Sequence, residues 1–456
     1  MNIYQYVEVS ARELDSKLLL AVIAASRGHD VLVSEKSAIN VGVHSGALQA
    51  GILHTKSLTP SEKKSSHHQT LIQRGLQITS MDEEGGLVDH GYYQFAVSRY
   101  SEKTIGQALA VFCWGEEDTV TLKNVYPNCS SKIYKTGSPR ADLWGARFTE
   151  YWSKPSKMPK KPFLLVPSNM GPSMQPLHKS IQHLRRSGYT ERDSASLMKT
   201  FYATAENYRM THAFIEAIRY LSEQSKGNYD VVLRPHPNEN VEAWKAYVED
   251  IPNVHVIRED SITAWVNQAF AVMHNGCTTA LEATISGTPV VTYIPFEQEY
   301  ARELSNELGI RCESIEALSS AVSRLFEISK TGASLHDELK LPELVAKKIY
   351  LDEQELAAEK IVKVWESLDI GELSRPCNWT KFQIVLYLVK LKSLVASILR
   401  TVFPRKFGLI NANHKFPPMD AEDIRARVRR LQRVLGVEEA LECKLLSNRT
   451  VLIRLR

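Results

Sequence analysis

Four short stretches combine residue types able to do chemistry. The first is Asp82-Glu83-Glu84-Gly85-Gly86, which follows the apolar run Leu76 to Met81. Three adjacent carboxylates at a strand end repel one another, which raises at least one pKa and suits a general base or a nucleophile. The alternative is an exposed acidic turn. The second stretch is Val231-Val232-Leu233-Arg234-Pro235-His236-Pro237. Its apolar residues read as the end of a buried parallel strand, and the prolines stop the sheet and stiffen the loop that carries His236. Beyond the carboxyl end of such a strand is where α/β sheets bind ligands. An imidazole beside Arg234 suits a phosphate oxygen; a capped loop histidine is the competing reading.

The third stretch, His274-Asn275-Gly276-Cys277-Thr278-Thr279-Ala280-Leu281-Glu282-Ala283, runs from a strand through small residues into a helix. Helix N-terminal amides with the Thr278 and Thr279 hydroxyls make an anion site, and Glu282, one turn on, is placed for a ribose diol. Simple capping by threonine is the alternative. In the fourth stretch, Gly137-Ser138-Pro139-Arg140-Ala141-Asp142-Leu143, a tight turn after a strand carries Arg140 and Asp142, to orient a ligand or to pin the two domains; an Arg–Asp pair that holds a loop is the alternative.

These stretches need a scaffold of alternating strands and helices. Residues 4–9 alternate like a strand, and Glu13 to Arg27 is helical, with Leu14, Leu18, Ala21, Val22 and Ala25 on one face; Val31 to Val33 is the next strand. This βαβ opening lacks a GxGxxG fingerprint. The alternation continues through Ala108 to Trp114 and Lys132 to Thr136. It restarts at Phe163 after the polar, proline-broken run Tyr151 to Lys161, which reads as a linker. Two Rossmann-like domains facing a cleft are therefore expected, at 1–155 and 156–370, with a basic, mostly helical extension at 371–456.

The formal net charge of +4 conceals an asymmetry. Pro376 to Arg456 holds 16 Lys/Arg against 6 Asp/Glu, so the preceding body is slightly acidic. Such a tail suits an anionic surface. Phe382 to Phe403 is mostly apolar, and Lys390, Lys392 and Arg400 make a spanning helix costly. Lys390, Ser393, Ser397 and Arg400 fall on one stripe, which suits a helix lying in a membrane interface; a helix packed on the body is the alternative. On the interfacial reading the tail is dispensable for folding of the body. Nucleic acid is not expected, because the tail lacks aromatic interleaving. The six cysteines have no metal-like spacing, and no leader is legible at Met1-Asn2-Ile3-Tyr4. A cytoplasmic protein at the inner face of the membrane is the expectation.

The segment Arg12-Glu13-Leu14-Asp15-Ser16-Lys17-Leu18-Leu19-Leu20-Ala21, with Asp82-Glu83-Glu84-Gly85, Trp114-Gly115 and Gly137 to Leu143, resembles the bacterial surface carbohydrate biosynthesis proteins. The acidic-acidic-Gly, His-Pro and hydroxyl-pair motifs are similar to those of bacterial sialyltransferases and β-Kdo transferases. The resemblance implies a GT-B fold and a CMP-activated 2-keto sugar acid as donor, Kdo or a related nonulosonate. It implies a surface-glycan or lipid-linked acceptor and neither cofactor nor metal. It assigns catalysis to Asp82, Glu83 or Glu84, and CMP binding to Arg234, His236, Pro237, Asn275, Gly276, Thr278, Thr279 and Glu282. The acceptor is expected near Arg12, Glu13, Lys17, Arg140 and Asp142. The family's hydroxyl pair reads Cys277-Thr278-Thr279 here, so either threonine can meet the phosphate. Retention, through a carboxylate nucleophile, is favoured over inversion through a general base. A nucleotide-sugar epimerase of similar shape and a non-catalytic scaffold of a glycan assembly are the competing functions.

Overall fold

The computed structural model describes residues 1–89, 91–171, 194–237, 239–299, 303–331, 342–368, 375–402 and 416–456, without the side chains of 194, 196, 199, 200, 303 and 392–402. The chain forms two compact units, Met1–Leu143 with Ala346–Arg456, and Trp144–Val345.

The first unit opens with β1 (Asn2–Tyr6), α1 (Ser10–Ser26), β2 (Asp30–Ser34), α2 (Lys36–His44), β3 (Gly51–Thr55), α3 (Glu62–Gln73) and β4 (Leu76–Met81). β5 (Ala108–Cys113) and β6 (Ile133–Lys135) follow. These six strands pair in parallel in the order β2-β1-β3-β4-β5-β6. The order reverses between β1 and β3, and such a switch point opens a crevice beyond the strand ends. α1 is buried on nearly every side from Leu14 to Ala25, wider than the single apolar face expected of it.

The second unit begins at Trp144, ahead of the proline-broken run read as a linker. That run joins the second unit: the Ser156 amide donates to Asp260 Oδ2 at 2.8 Å, and Lys157 pairs with Glu259. The sheet is built from β7 (Phe163–Pro167), β8 (Asp230–Arg234), β9 (Val254–Val256), β10 (Ala271–His274), β11 (Val290–Tyr293) and β12 (Ile310–Cys312). The strands lie parallel in the order β12-β11-β10-β7-β8-β9, the six-stranded doubly wound order, with its switch point between β7 and β10. α4 (Ser194–Ser225), α5 (Val241–Val248) and α6 (Thr279–Ser286) are among its helices.

The chain then returns to the first unit through α7 (Ala357–Ser367), α8 (Trp379–Val402), α9 (Ala421–Leu435), β13 (Leu441–Ser447) and β14 (Thr450–Leu455). The region read as a mostly helical extension thus ends in two strands. β14 pairs antiparallel with β2, matching Val451 to Val33 and Ile453 to Val31, and β13 covers β14. The physical reason is an open sheet edge: Val451, Leu452 and Ile453 are fully buried there. Phe382 and Leu386 of α8 enter the same core. The chain therefore has the two Rossmann-like domains of the GT-B class.

Candidate active site

In the first unit the acidic run sits at the end of β4, one strand from the switch point. Asp82 and Glu83 are buried, so the exposed-turn alternative fails for both. Each carboxylate has a different setting. Glu83 Oε1 meets Lys17 Nζ at 2.8 Å in a buried pair. Glu84 is clamped by two guanidiniums, Arg12 Nη1 at 3.0 Å and Arg99 Nη2 at 2.7 Å. Asp82 accepts the Glu84 amide at Oδ1, while its Oδ2 has no hydrogen-bond partner and lies 3.8 Å from Arg99 Nη1. Burial pushes the Asp82 carboxyl up to about 6, against the pull of Arg99 and of the Glu84 amide.

The glycines after the acids have a packing reason. A Cβ on Gly86 would stand 2.5 Å from the Trp114 ring. That indole fixes the loop by donating from Nε1 to the Asp82 carbonyl at 2.7 Å.

The residues expected at an acceptor divide into two groups. Glu13 and Lys17 are buried and hold structure: Glu13 accepts the Glu8 amide at 2.7 Å, and Lys17 is occupied by Glu83. Asp142 is buried too, and its two oxygens accept the Ala357 and Ala358 amides, both at 3.0 Å. It caps α7, a role that none of the readings of this stretch included. Its burial raises its carboxyl to about 7 despite those bonds. Arg12 remains at the acidic loop, and the Arg140 amide donates to Ser138 Oγ at 3.2 Å.

In the second unit, three loops meet at the carboxyl ends of β7, β8 and β10. Glu239, which sequence reasoning missed, ties two of them together. Its buried carboxylate accepts from Ser168 Oγ and from the amides of Met170, Gly171 (3.1 Å) and His236 (3.2 Å). Trp244 Nε1 donates to it as well, at 2.9 Å. The spacing His-Pro-x-Glu, with an acid three residues after His236, was the available signal. Asn169 ties the loop after β7 to the loop after β10, donating from Nδ2 to the Gly276 carbonyl at 2.8 Å across the switch point.

His236 is half-buried on this braced loop. Arg234 is directed elsewhere: its guanidinium donates to the Glu259 and Asp260 carbonyls, and burial lowers its pKa to about 10. The Pro237 carbonyl accepts from Arg258 Nη2 at 2.7 Å.

The Asn275 side chain donates to the Tyr293 carbonyl at 2.9 Å, and the Gly276 amide to Asn306 Oδ1 at 2.7 Å. Gly276 adopts φ +57°, which favours glycine. Thr278 precedes α6 without capping it through its side chain, so the simple-capping alternative does not describe it. Thr279 Oγ1 accepts from Cys277 Sγ at 3.3 Å. Glu282 faces inward, accepting from Thr263 Oγ1 at 2.9 Å, because its turn of α6 packs against the neighbouring helix. It does not present a free carboxylate to a ribose. His274 is fully buried, with Nε2 2.8 Å from Thr292 Oγ1, and burial lowers it to about 3. Among the described residues no group of three or more His, Cys, Asp or Glu side chains is placed to hold a metal ion.

No protein-family model matches the chain, and no curated protein matches it in sequence. Among solved structures, a Listeria monocytogenes protein assigned as a UDP-N-acetylglucosamine 2-epimerase is similar at 14% identity and TM-score 0.49, over 82% of this chain and 98% of that one. The UDP-GlcNAc 2-epimerase of Neisseria meningitidis, bound to UDP-GlcNAc, shares 10% identity at TM-score 0.45, over 80% and 99%. A variant of the wall teichoic acid polymerase TagF shares 10% at TM-score 0.49, over 81% and 89%.

Proposed function

We propose that this protein is a glycosyltransferase that moves a 2-keto sugar acid, Kdo or a related nonulosonate, from CMP to a surface-glycan acceptor. Asp82 acts at the reacting centre. The observation that carries the reading is the unequal environment of the three carboxylates. Glu83 and Glu84 are held by cations, whereas Asp82 keeps one oxygen without a hydrogen bond, and burial raises its carboxyl to about 6. As a general base, Asp82 Oδ2 takes the proton of the acceptor hydroxyl as that oxygen bonds to the anomeric carbon, and CMP departs with the bonding electrons. As a nucleophile, which retention requires, Oδ2 itself bonds to the anomeric carbon first as CMP departs with the bonding electrons; the acceptor oxygen then displaces the carboxylate and gives up its proton to solvent. His236 and the start of α6 at Thr278 stabilise the phosphate charge of the leaving CMP. The choice of CMP rests on the motif resemblance.

The test is transfer from CMP-Kdo combined with nucleotide-dependent thermal shift. Asp82→Asn is expected to lose about 10²–10⁴-fold in rate while retaining the CMP-induced shift. Glu84→Gln is expected to keep most of its rate. His236→Ala is expected to lose most of the CMP shift. Stabilisation by UDP equal to that by CMP overturns the donor and favours an epimerase. Full transfer by Asp82→Asn overturns the role of Asp82.

A further inference from the structure

α8 carries an apolar face that no part of the described chain covers. Trp379, Phe382 and Leu386 turn toward the core of the first unit. On the opposite side Ile384, Tyr387, Leu388 and Leu391 recur at helical spacing and are 56%, 67%, 49% and 46% exposed. Four large apolar residues in one exposed stripe are more than the scattered exposure of an ordinary surface. Of the polar stripe expected from sequence, Lys390 is exposed, and Ser393, Ser397 and Arg400 lie outside the described side chains.

The surroundings of that face are cationic. Lys381 and Lys390 flank the stripe and are exposed. Lys381 Nζ lies beside Gly46, just past the end of α2, which packs on α8. Arg74, following α3, reaches the same end of α2, with Nη1 donating to the His44 carbonyl at 3.4 Å. Lys444 is exposed on β13, which also packs on α8.

We propose that this face of the first unit docks on an anionic lipid bilayer. Ile384, Tyr387, Leu388 and Leu391 enter the interfacial zone, and Lys381, Lys390 and Arg74 meet headgroup phosphates. A bilayer rewards both features at once, since aliphatic and tyrosine side chains partition into the interface while cations gain from the surface potential. A nucleic acid has no use for an aliphatic stripe, and a second copy would bring one cationic rim against another. Among the described residues no helix is long and apolar enough to cross a membrane, and docking requires none. The inference is independent of the sugar chemistry.

Flotation of the full chain with phosphatidylcholine vesicles, with and without phosphatidylglycerol, tests it. Binding is expected only with phosphatidylglycerol, weakened by salt and not abolished. Leu388→Ser with Leu391→Ser is expected to lower partitioning by about tenfold or more without changing the melting temperature, because both positions are exposed. Lys381→Gln and Lys390→Gln are each expected to lower it by roughly fivefold. Three results overturn the proposal. One is a full chain that stays with the soluble fraction, and another is a serine variant that floats as well as the original. The third is a dimer in sedimentation that the serine variant converts to monomer, which would show that the stripe closes on a second copy.

Discussion

Asp82 and Glu239 show how one residue type serves opposite ends. Both are buried acids at strand-end loops, yet Glu239 is saturated with donors and Asp82 is left short of one. The Asp82 carboxyl titrates at 3.8 in the absence of structure and at about 6 when folded. Between those values the folded chain holds more protons than the unfolded one, so stability falls as pH rises through the window and levels off above it. Asp82→Asn removes that fall. Its melting temperature should exceed that of the original above about pH 7, with the gap closing toward about pH 4. A pH-independent gap would mean that the aspartate is not protonated in the folded chain. For Glu239 the expectation is loss: Glu239→Ala removes the carboxylate that accepts from Ser168, Met170, Gly171, His236 and Trp244. It should cost about 3 kcal/mol or more in denaturant unfolding, together with the CMP-induced shift. An unchanged unfolding midpoint would contradict the bracing role.

At the scale of elements, helix termini decide which acids are structural. The α7 N-terminus is met by Asp142, at the end of the short helix Pro139–Asp142 more than two hundred residues earlier. Capping carboxylates contribute roughly 0.5–2 kcal/mol, and a buried helix end leaves amides without partners when the cap is removed. Asp142→Ala should therefore lower unfolding free energy by about 1–3 kcal/mol, and Asp142→Asn by less, since one carbonyl acceptor survives. Equal stability of the alanine variant and the original protein would return Asp142 to the ligand-orienting role. The same logic separates Thr278 from Glu282 on one short helix. The first stands at the open end of α6 and the second packs inward on Thr263.

At the scale of the whole molecule, the basic tail belongs to the first unit's core. Deleting residues 438–456 removes β13 and β14, strips the antiparallel cover from β2, and takes away the buried Val451, Leu452 and Ile453. At about 1.5–3 kcal/mol for each side chain, the loss is comparable to the entire stability of a typical domain. Calorimetry of the truncated chain should lose the transition of the first unit and retain that of the second. This reverses the expectation that the tail is dispensable. A truncated chain with both transitions intact would restore it.

Sequence alone determined the features that depend on local order. Apolar runs ending in proline, glycine or acidic residues marked β4, β8 and β10, since strand burial and loop onset are written in neighbouring residues. It also placed the acidic, histidine and threonine loops at the carboxyl ends of strands, because in a parallel sheet chain direction sets which end each loop occupies. What only the tertiary structure decided depends on distant partners. Lys17 and Glu83 neutralise each other across the fold, Arg12 and Arg99 converge on Glu84, and Asp82 is the carboxylate left over. No local pattern encodes that choice, since desolvation and Coulomb terms act through space. The return of β14 to β2 is of the same kind. An open edge at residues 31–33 is invisible until the strand more than four hundred residues later is seen to cover it.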